Sequence, residues 1–245
     1  MASANQWQRR LTFGGRLPWT IGLLLSLTVI LSLVTAVGER HAGGLFELVA
    51  LIPALVLRGQ VWRLATWLFV EPGPWALLFA GLSLFWFGAP LTHAWGSRRF
   101  LVFYVGIMIF AAVGTCLVAL FDPAVRESTY LGGWAVGVGL LVAWGLTFPT
   151  QVVRFYFLIP IRGYWIAWIT VATTVVYWAY MGWTNHLPEL LAEAAALGWI
   201  YRVSVLSSWW GKRAQMGARA AGRPQRGVVV DFHSGDRVDS ERKPN

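Results

Sequence analysis

Six apolar segments dominate the chain: Thr20–Val37, Pro74–Leu91, Phe100–Phe121, Leu131–Thr147, Tyr164–Trp183 and Leu187–Val203. Each has about the 17–25 residues a helix needs to cross hydrocarbon. The runs are continuous, whereas a lipid-facing barrel strand would alternate apolar and polar residues. The expected fold is therefore an all-α integral membrane protein with six transmembrane helices. Composition agrees: 57% of the 245 residues are hydrophobic and 13% charged, about half the charge of an ordinary soluble domain. A soluble globular enzyme, a disordered chain and a coiled coil are excluded. The sixth segment is the weakest span, because it carries Glu189 and Glu193.

Basic residues set the expected orientation. With the N-terminus in the cytoplasm, the inner segments hold Arg9, Arg10 and Arg16, then Arg98 and Arg99, then Arg154 and Arg162, and the tail adds Arg202 and eight more. The outer segments hold only Arg40, Arg58, Arg63 and Arg126. Both termini are thus expected in the cytoplasm, and a bacterial inner membrane is the expected location. The net charge of +9 flanks apolar segments, which suits anionic lipid head groups and not nucleic acid. The first segment, after Arg9-Arg10, has a longer apolar core than a cleaved signal and is expected to remain as a span.

Three parts follow: an N-terminal segment (1–19), a membrane domain (20–206) and a basic tail (207–245). Within the domain, 38–73 forms an outer loop. Its run Leu45–Leu57, interrupted by Pro53, is too short to span and is expected to lie at the membrane surface or dip into the outer leaflet. Trp62, Trp67 and Trp75 suit an aromatic belt. The tail is polar and rich in Gly and Arg, so it is expected to be mostly disordered and cytoplasmic. Its island Gly227–His233 is expected to form a strand only by adding to a partner's sheet.

The chemistry within the spans is sparse. Gly133 and Gly137 sit one helical turn apart, and Ala192 and Ala196 lie on the sixth segment. Such small residues let helices approach closely in lipid, so spans four and six are expected to touch. The lone Cys116 reads as a small apolar residue and excludes an internal disulfide. No two histidines share a helix face, so no metal or cofactor is expected. Serine is absent between Ser128 and Ser204, and none of His41, His93, His186 and His233 lies well inside a span. Ser128 with His186 is the one conceivable catalytic pair, and both are loop residues. Glu189 and Glu193 form an i, i+4 pair near His186 and make the candidate intramembrane polar site. The alternative is that both face water or the protein interior near the outer surface.

Two stretches carry a resemblance. Gly59-Gln-Val-Trp-Arg-Leu-Ala-Thr-Trp-Leu-Phe69 resembles the segment after the first span of the rhomboid family, where a Trp-Arg pair precedes Leu-x-Thr. Leu84–Tyr104, with Gly88 and Gly96-Ser-Arg-Arg-Phe-Leu101, resembles that family's second and third spans. The resemblance covers roughly residues 15–205 and implies a six-helix core with a short, central fourth span. It marks Trp62, Arg63, Gly88, Gly96 and Arg99 as fold residues, with Arg63 shaping the first loop. The protease machinery does not carry over. The family's Gly-x-Ser-Gly corresponds to Leu131-Gly-Gly-Trp134, and the region of its catalytic His reads Leu190-Leu-Ala-Glu-Ala194. Its second-span His and Asn fall near Ala76 and Ala80, and the expected Glu is Thr92.

The resemblance implies a catalytically inactive member that binds other transmembrane proteins as clients. Three other readings stand beside it. One is an accessory subunit of a larger membrane complex, docked through the tail. Another is a protease using Ser128 and His186, which would lack buried oxyanion donors. Transport is the last, and it lacks paired broken helices and an inverted repeat.

Overall fold

The computed structural model describes residues 17–155, 159–202, 229–230 and 237–238. The chain divides into two units, Met1–Tyr201 and Arg202–Asn245.

The first unit is helical. Helix α1 is Trp19–Ala42, followed by the short helices α2 (Leu45–Val49), α3 (Pro53–Val56) and α4 (Arg63–Thr66). Helix α5 runs Pro74–Trp95, α6 Ser97–Val118, and the short α7 Pro123–Glu127. Helices α8 (Trp134–Thr147) and α9 (Gly163–Met181) are followed by α10, residues 187–202. Among the described residues, three helices are long and apolar enough to cross a membrane: Trp19–His41, Pro74–Trp95 and Ser97–Val118. Helix α8 is apolar but shorter, because Leu131, Gly132 and Gly133 stay outside it.

An all-α fold needs one correction. Between α8 and α9, Val152–Phe155 (β1) pairs antiparallel with Ile159–Arg162 (β2), with Val152 opposite Arg162. The β-branched residues Val152, Val153, Ile159 and Ile161 favour this hairpin, but the run is too short to stand out beside the spans. The tail island needs another. Val229–Val230 (β3) pairs with Arg237–Val238 (β4) of the same chain, so its ladder is met without a partner's sheet. The remaining tail residues lie outside the described ones, as does the N-terminal segment up to residue 16.

Local chemistry explains the breaks. Pro90 has no N–H to give the Trp86 carbonyl, and its ring crowds that carbonyl. Helix α5 responds with a widened π turn over Leu84–Gly88, in which the Ala89 N–H reaches the Leu84 carbonyl. Gly96, at φ +85°, closes α5 by donating to the Thr92 carbonyl (2.9 Å) and starts α6 immediately. A side chain would be strained in that left-handed conformation.

Helix α8 is the centre of the bundle. From Ala135 to Gly145, every residue apart from Leu141 is buried. They pack with Ile21 and Leu24 of α1, Leu84 and Leu91 of α5, Phe103, Ile107 and Ala111 of α6, and Ala192 and Ala196 of α10. The outward faces carry Ile30, Phe79, Trp86, Phe110 and Val176, all exposed. A soluble protein rarely leaves so much apolar surface bare, whereas a bilayer covers it.

Small residues set the helix spacings, and not at every position the sequence suggests. Helices α8 and α10 do approach, but at Gly139, where a Cβ would lie 3.4 Å from the Ala192 carbonyl oxygen. Gly133 and Gly137 face the other way, toward Glu71 and Ser83. One helical turn of spacing puts two glycines on one face without saying which neighbour that face meets. Gly88 lets α1 and α6 close in, since a Cβ there would sit 3.1 Å from Ile21 and 3.2 Å from Phe100. At the α8–α9 crossing a Cβ on Gly145 would strike the Gly163 carbonyl and lie 2.9 Å from the Ala167 Cβ.

Gly145→Val therefore destabilises the protein by about 1–3 kcal/mol through overpacking. Gly106→Ala, on an open face of α6, is neutral or gains up to about 1 kcal/mol from helix propensity. Thermal unfolding in detergent micelles separates the two.

Candidate functional site

The segment where the resemblance places a serine is occupied by a carboxylate. Gly132, at φ +96°, donates its N–H to the Trp67 carbonyl (3.0 Å). The Gly133 N–H donates to Glu71 Oε1 (2.5 Å). Glu71 is 4% exposed and is held from behind, its own N–H donating to Ser32 Oγ (3.0 Å). A Cβ on Gly132 would lie 2.8 Å from Glu71 Oε2, and one on Gly133 2.9 Å from Oε1. The glycine pair thus admits this carboxylate at the positive end of α8. Burial pushes the Glu71 pKa up, opposed by the Gly133 N–H.

Beside it lies a cavity of about 10 Å³ lined by Thr28, Glu71, Ser83, Tyr104 and Gly137, among others. That volume holds about one water and leaves no room for a peptide bond. No histidine lines it. Sequence reasoning missed Glu71, which stands in a loop between two apolar runs with no periodicity to mark it.

Ser128 and His186 are engaged separately. The Ser128 hydroxyl donates to the Ala124 carbonyl (2.7 Å). His186 Nδ1 lies 3.9 Å from Glu189 Oε1, and its ring packs on Tyr177 at 5.7 Å. The serine proton is spent on backbone and not aimed at the imidazole.

Of the three residues expected to form a polar site, His186 and Glu189 line one cleft, and Glu193 reaches it only through Thr174. It has a volume of about 390 Å³ and runs between Trp134 and Val138 of α8, Thr170, Thr173, Thr174 and Tyr177 of α9, and His186 and Glu189 at the start of α10. Thr170 and Thr173 satisfy their hydroxyls on carbonyls one turn back, Ile166 (2.8 Å) and Ile169 (2.7 Å). Thr174 lies 3.2 Å from the Thr170 carbonyl and makes its shorter contact with Glu193 Oε1 (2.7 Å). Glu193 is 2% exposed, facing the protein interior. Among the described residues, Oε2 of Glu189 and Oε2 of Glu193 are buried with no hydrogen-bond partner. Trp134, Ile169 and Tyr177 on the rim are exposed, so the cleft opens to the surface between α8 and α9. Among the described residues, no group of His, Cys, Asp and Glu has a metal-binding arrangement.

The Trp62-Arg63 pair organises the first loop. The last carbonyls of α2 have no partners within the helix. Arg63 Nη1 donates to the Glu47 carbonyl and to that of Ala50 (2.6 Å), while Nε donates to Gln60 Oε1 (2.7 Å). The Trp62 indole N–H donates to the Leu48 carbonyl (3.3 Å), and the Thr66 hydroxyl to that of Val49 (2.8 Å). Four consecutive carbonyls are met by one short motif. Leu51 then exchanges two backbone bonds with Tyr130, each 2.9 Å. Leu51 and Ala54 of this run are buried, while Leu48 and Leu57 are exposed. The loop packs inward because this motif leaves its backbone satisfied away from water. Arg99 is exposed at the start of α6.

Arg63→Ala leaves two carbonyls unmet and costs about 2–4 kcal/mol, with Arg63→Lys in between; thermal unfolding in detergent measures the order. Glu71 gives the pH prediction. Its folded pKa is raised, so its contribution to stability is complete below the ordinary carboxylate range and is lost as pH rises through the raised value. Glu71→Gln keeps an acceptor for the Gly133 N–H and removes the titration. The parent's melting temperature then falls relative to this variant's as pH is raised from the ordinary carboxylate range through the raised value.

A family model described as "Eukaryotic integral membrane protein (DUF1751)", within the rhomboid-like group, matches residues 22–209. No curated protein matches the chain. The family's eukaryotic description overturns the expected bacterial inner membrane. Apolar length and flanking arginines answer to any bilayer, so they identify a membrane protein without identifying the membrane. The helical fold and the matched segment agree: this chain belongs to the DUF1751 family of eukaryotic integral membrane proteins.

Proposed function

We propose that α1, α5, α6, α8, α9 and α10 form a six-span bundle without a catalytic centre, which binds the transmembrane segment of another membrane protein. The observation that carries this reading is the surface-opening cleft between α8, α9 and α10, of about 390 Å³. A helix in lipid gains little by burying apolar surface, because lipid is equally apolar; close packing and polar contacts drive association instead. The cleft supplies both, with the threonines of α9 along one wall and the acidic start of α10 along another. The absence of chemistry is supported by the cavity at Gly132–Gly133, which is one water in size and filled on one side by Glu71. Exposed Arg98 and Arg99 at the start of α6 suit anionic lipid head groups.

The test places a photoreactive amino acid at Ile169 on the cleft rim, in native membranes. Cross-links to membrane-spanning proteins are expected there and absent from a probe at Phe110 on the outer face of α6. Equal yields at both sites overturn client binding. A transmembrane reporter is expected to remain intact; hydrolysis that persists in Ser128→Ala overturns the non-catalytic reading.

A further inference from the structure

We infer that the cleft selects transmembrane segments carrying a basic residue at the depth of Glu193. The inference rests on the proposed client-binding reading and adds what is recognised.

Three observations converge. First, the charge is one-sided: Glu189 lines the cleft and Glu193 stands behind Thr174, while among the described residues no Lys or Arg lines it and His186, 3.9 Å from Glu189 Oε1, is its one basic side chain. Second, this acidic pair is incomplete. Glu193 is more than nine-tenths buried, its Oε1 is held by the Thr174 hydroxyl of the cleft wall, and its Oε2 has no partner among the described residues. Glu189 Oε2 is buried and unmet in the same way. A buried carboxylate oxygen with an empty lone pair is costly, and an incoming N–H donor relieves it. Third, the cleft is lined by Glu189, by Thr174, whose hydroxyl joins it to Glu193, and by apolar Val138 and Leu141, so an aliphatic stem can lie along it with its charged end at this acidic wall.

The geometry also fixes a depth. Thr174 stands seven residues before Met181, the end of α9, which is about 10 Å along the helix axis. Glu193 meets it there. A Lys or Arg near the end of a segment snorkels to water and needs no partner, whereas one set about 10 Å inside cannot do so freely. The carboxylates therefore distinguish a basic residue by its position and not only by its charge. Both signs of charge matter: an acidic residue at the same depth meets like charge and is rejected.

The experiment uses the full chain in phosphatidylcholine vesicles, with the photoreactive group at Ile169. The probes are fluorescent polyleucine transmembrane peptides that carry one Lys seven residues from an end, one Lys at the end, one Glu, one Gln or no polar residue. The deep-Lys peptide is expected to be captured about tenfold better than the all-leucine and Glu peptides, a difference typical of one partly desolvated charge pair. The end-Lys peptide is expected to match all-leucine. The advantage of the deep-Lys peptide over all-leucine disappears in Glu189→Gln with Glu193→Gln, which keeps the shape and the Thr174 contact. Where the double variant fails to fold, Glu189→Gln alone, at the cleft surface, reduces the advantage. Equal capture of Lys and leucine peptides overturns this inference and leaves client binding standing. Capture of Gln as well as Lys shows hydrogen bonding by neutral acids and overturns charge selection. Capture of no peptide overturns both readings.

Discussion

Helix α8 depends on the Glu71 carboxylate. At 14 residues it rises about 21 Å, short of the roughly 30 Å of hydrocarbon. The free N–H groups at its N-terminus need partners from outside the helix. Glu71 and the Trp67 carbonyl meet the two that matter, those of Gly133 and Gly132. From this follow the two glycines, the buried acid and the one-water cavity. Beyond this cap, α8 is buried from Ala135 to Gly145 apart from Leu141.

The first loop solves the same problem at a helix C-terminus. Helix α2 would expose four carbonyls, and Trp62, Arg63 and Thr66 take them. A cation there also answers the negative end of the helix. The loop can consequently pack Leu51 and Ala54 inward and bridge to Tyr130, which joins it to the segment leading into α8. Both devices bury an ionisable side chain against backbone groups left free at a helix end. By contrast the carboxylates of Glu189 and Glu193 keep unmet oxygens, so they are the charges that the fold leaves available.

Much of this was legible in the residues. Apolar length marked the long helices, the Trp62-Arg63 and Gly96 stretches marked the joints, and Glu193 stood out as an acid in an apolar run. Other features were not. Glu71 has a sequence neighbourhood like that of any loop acid, and its role comes from Gly133, 62 residues away. The hairpin of Val152 and Ile161 was hidden between two longer apolar runs. Gly139, the true point of contact with Ala192, is one glycine among several, and spacing alone does not choose between them.

The sequence by itself determined that this chain lives in a membrane as helices, because hydrocarbon permits few other ways to satisfy a backbone over such apolar lengths. Only the tertiary structure decided which charges are spent and which remain. Partnership depends on the distance between residues far apart in the chain, as Glu71 is from Gly133 and Thr174 from Glu193, and helix periodicity does not encode that distance.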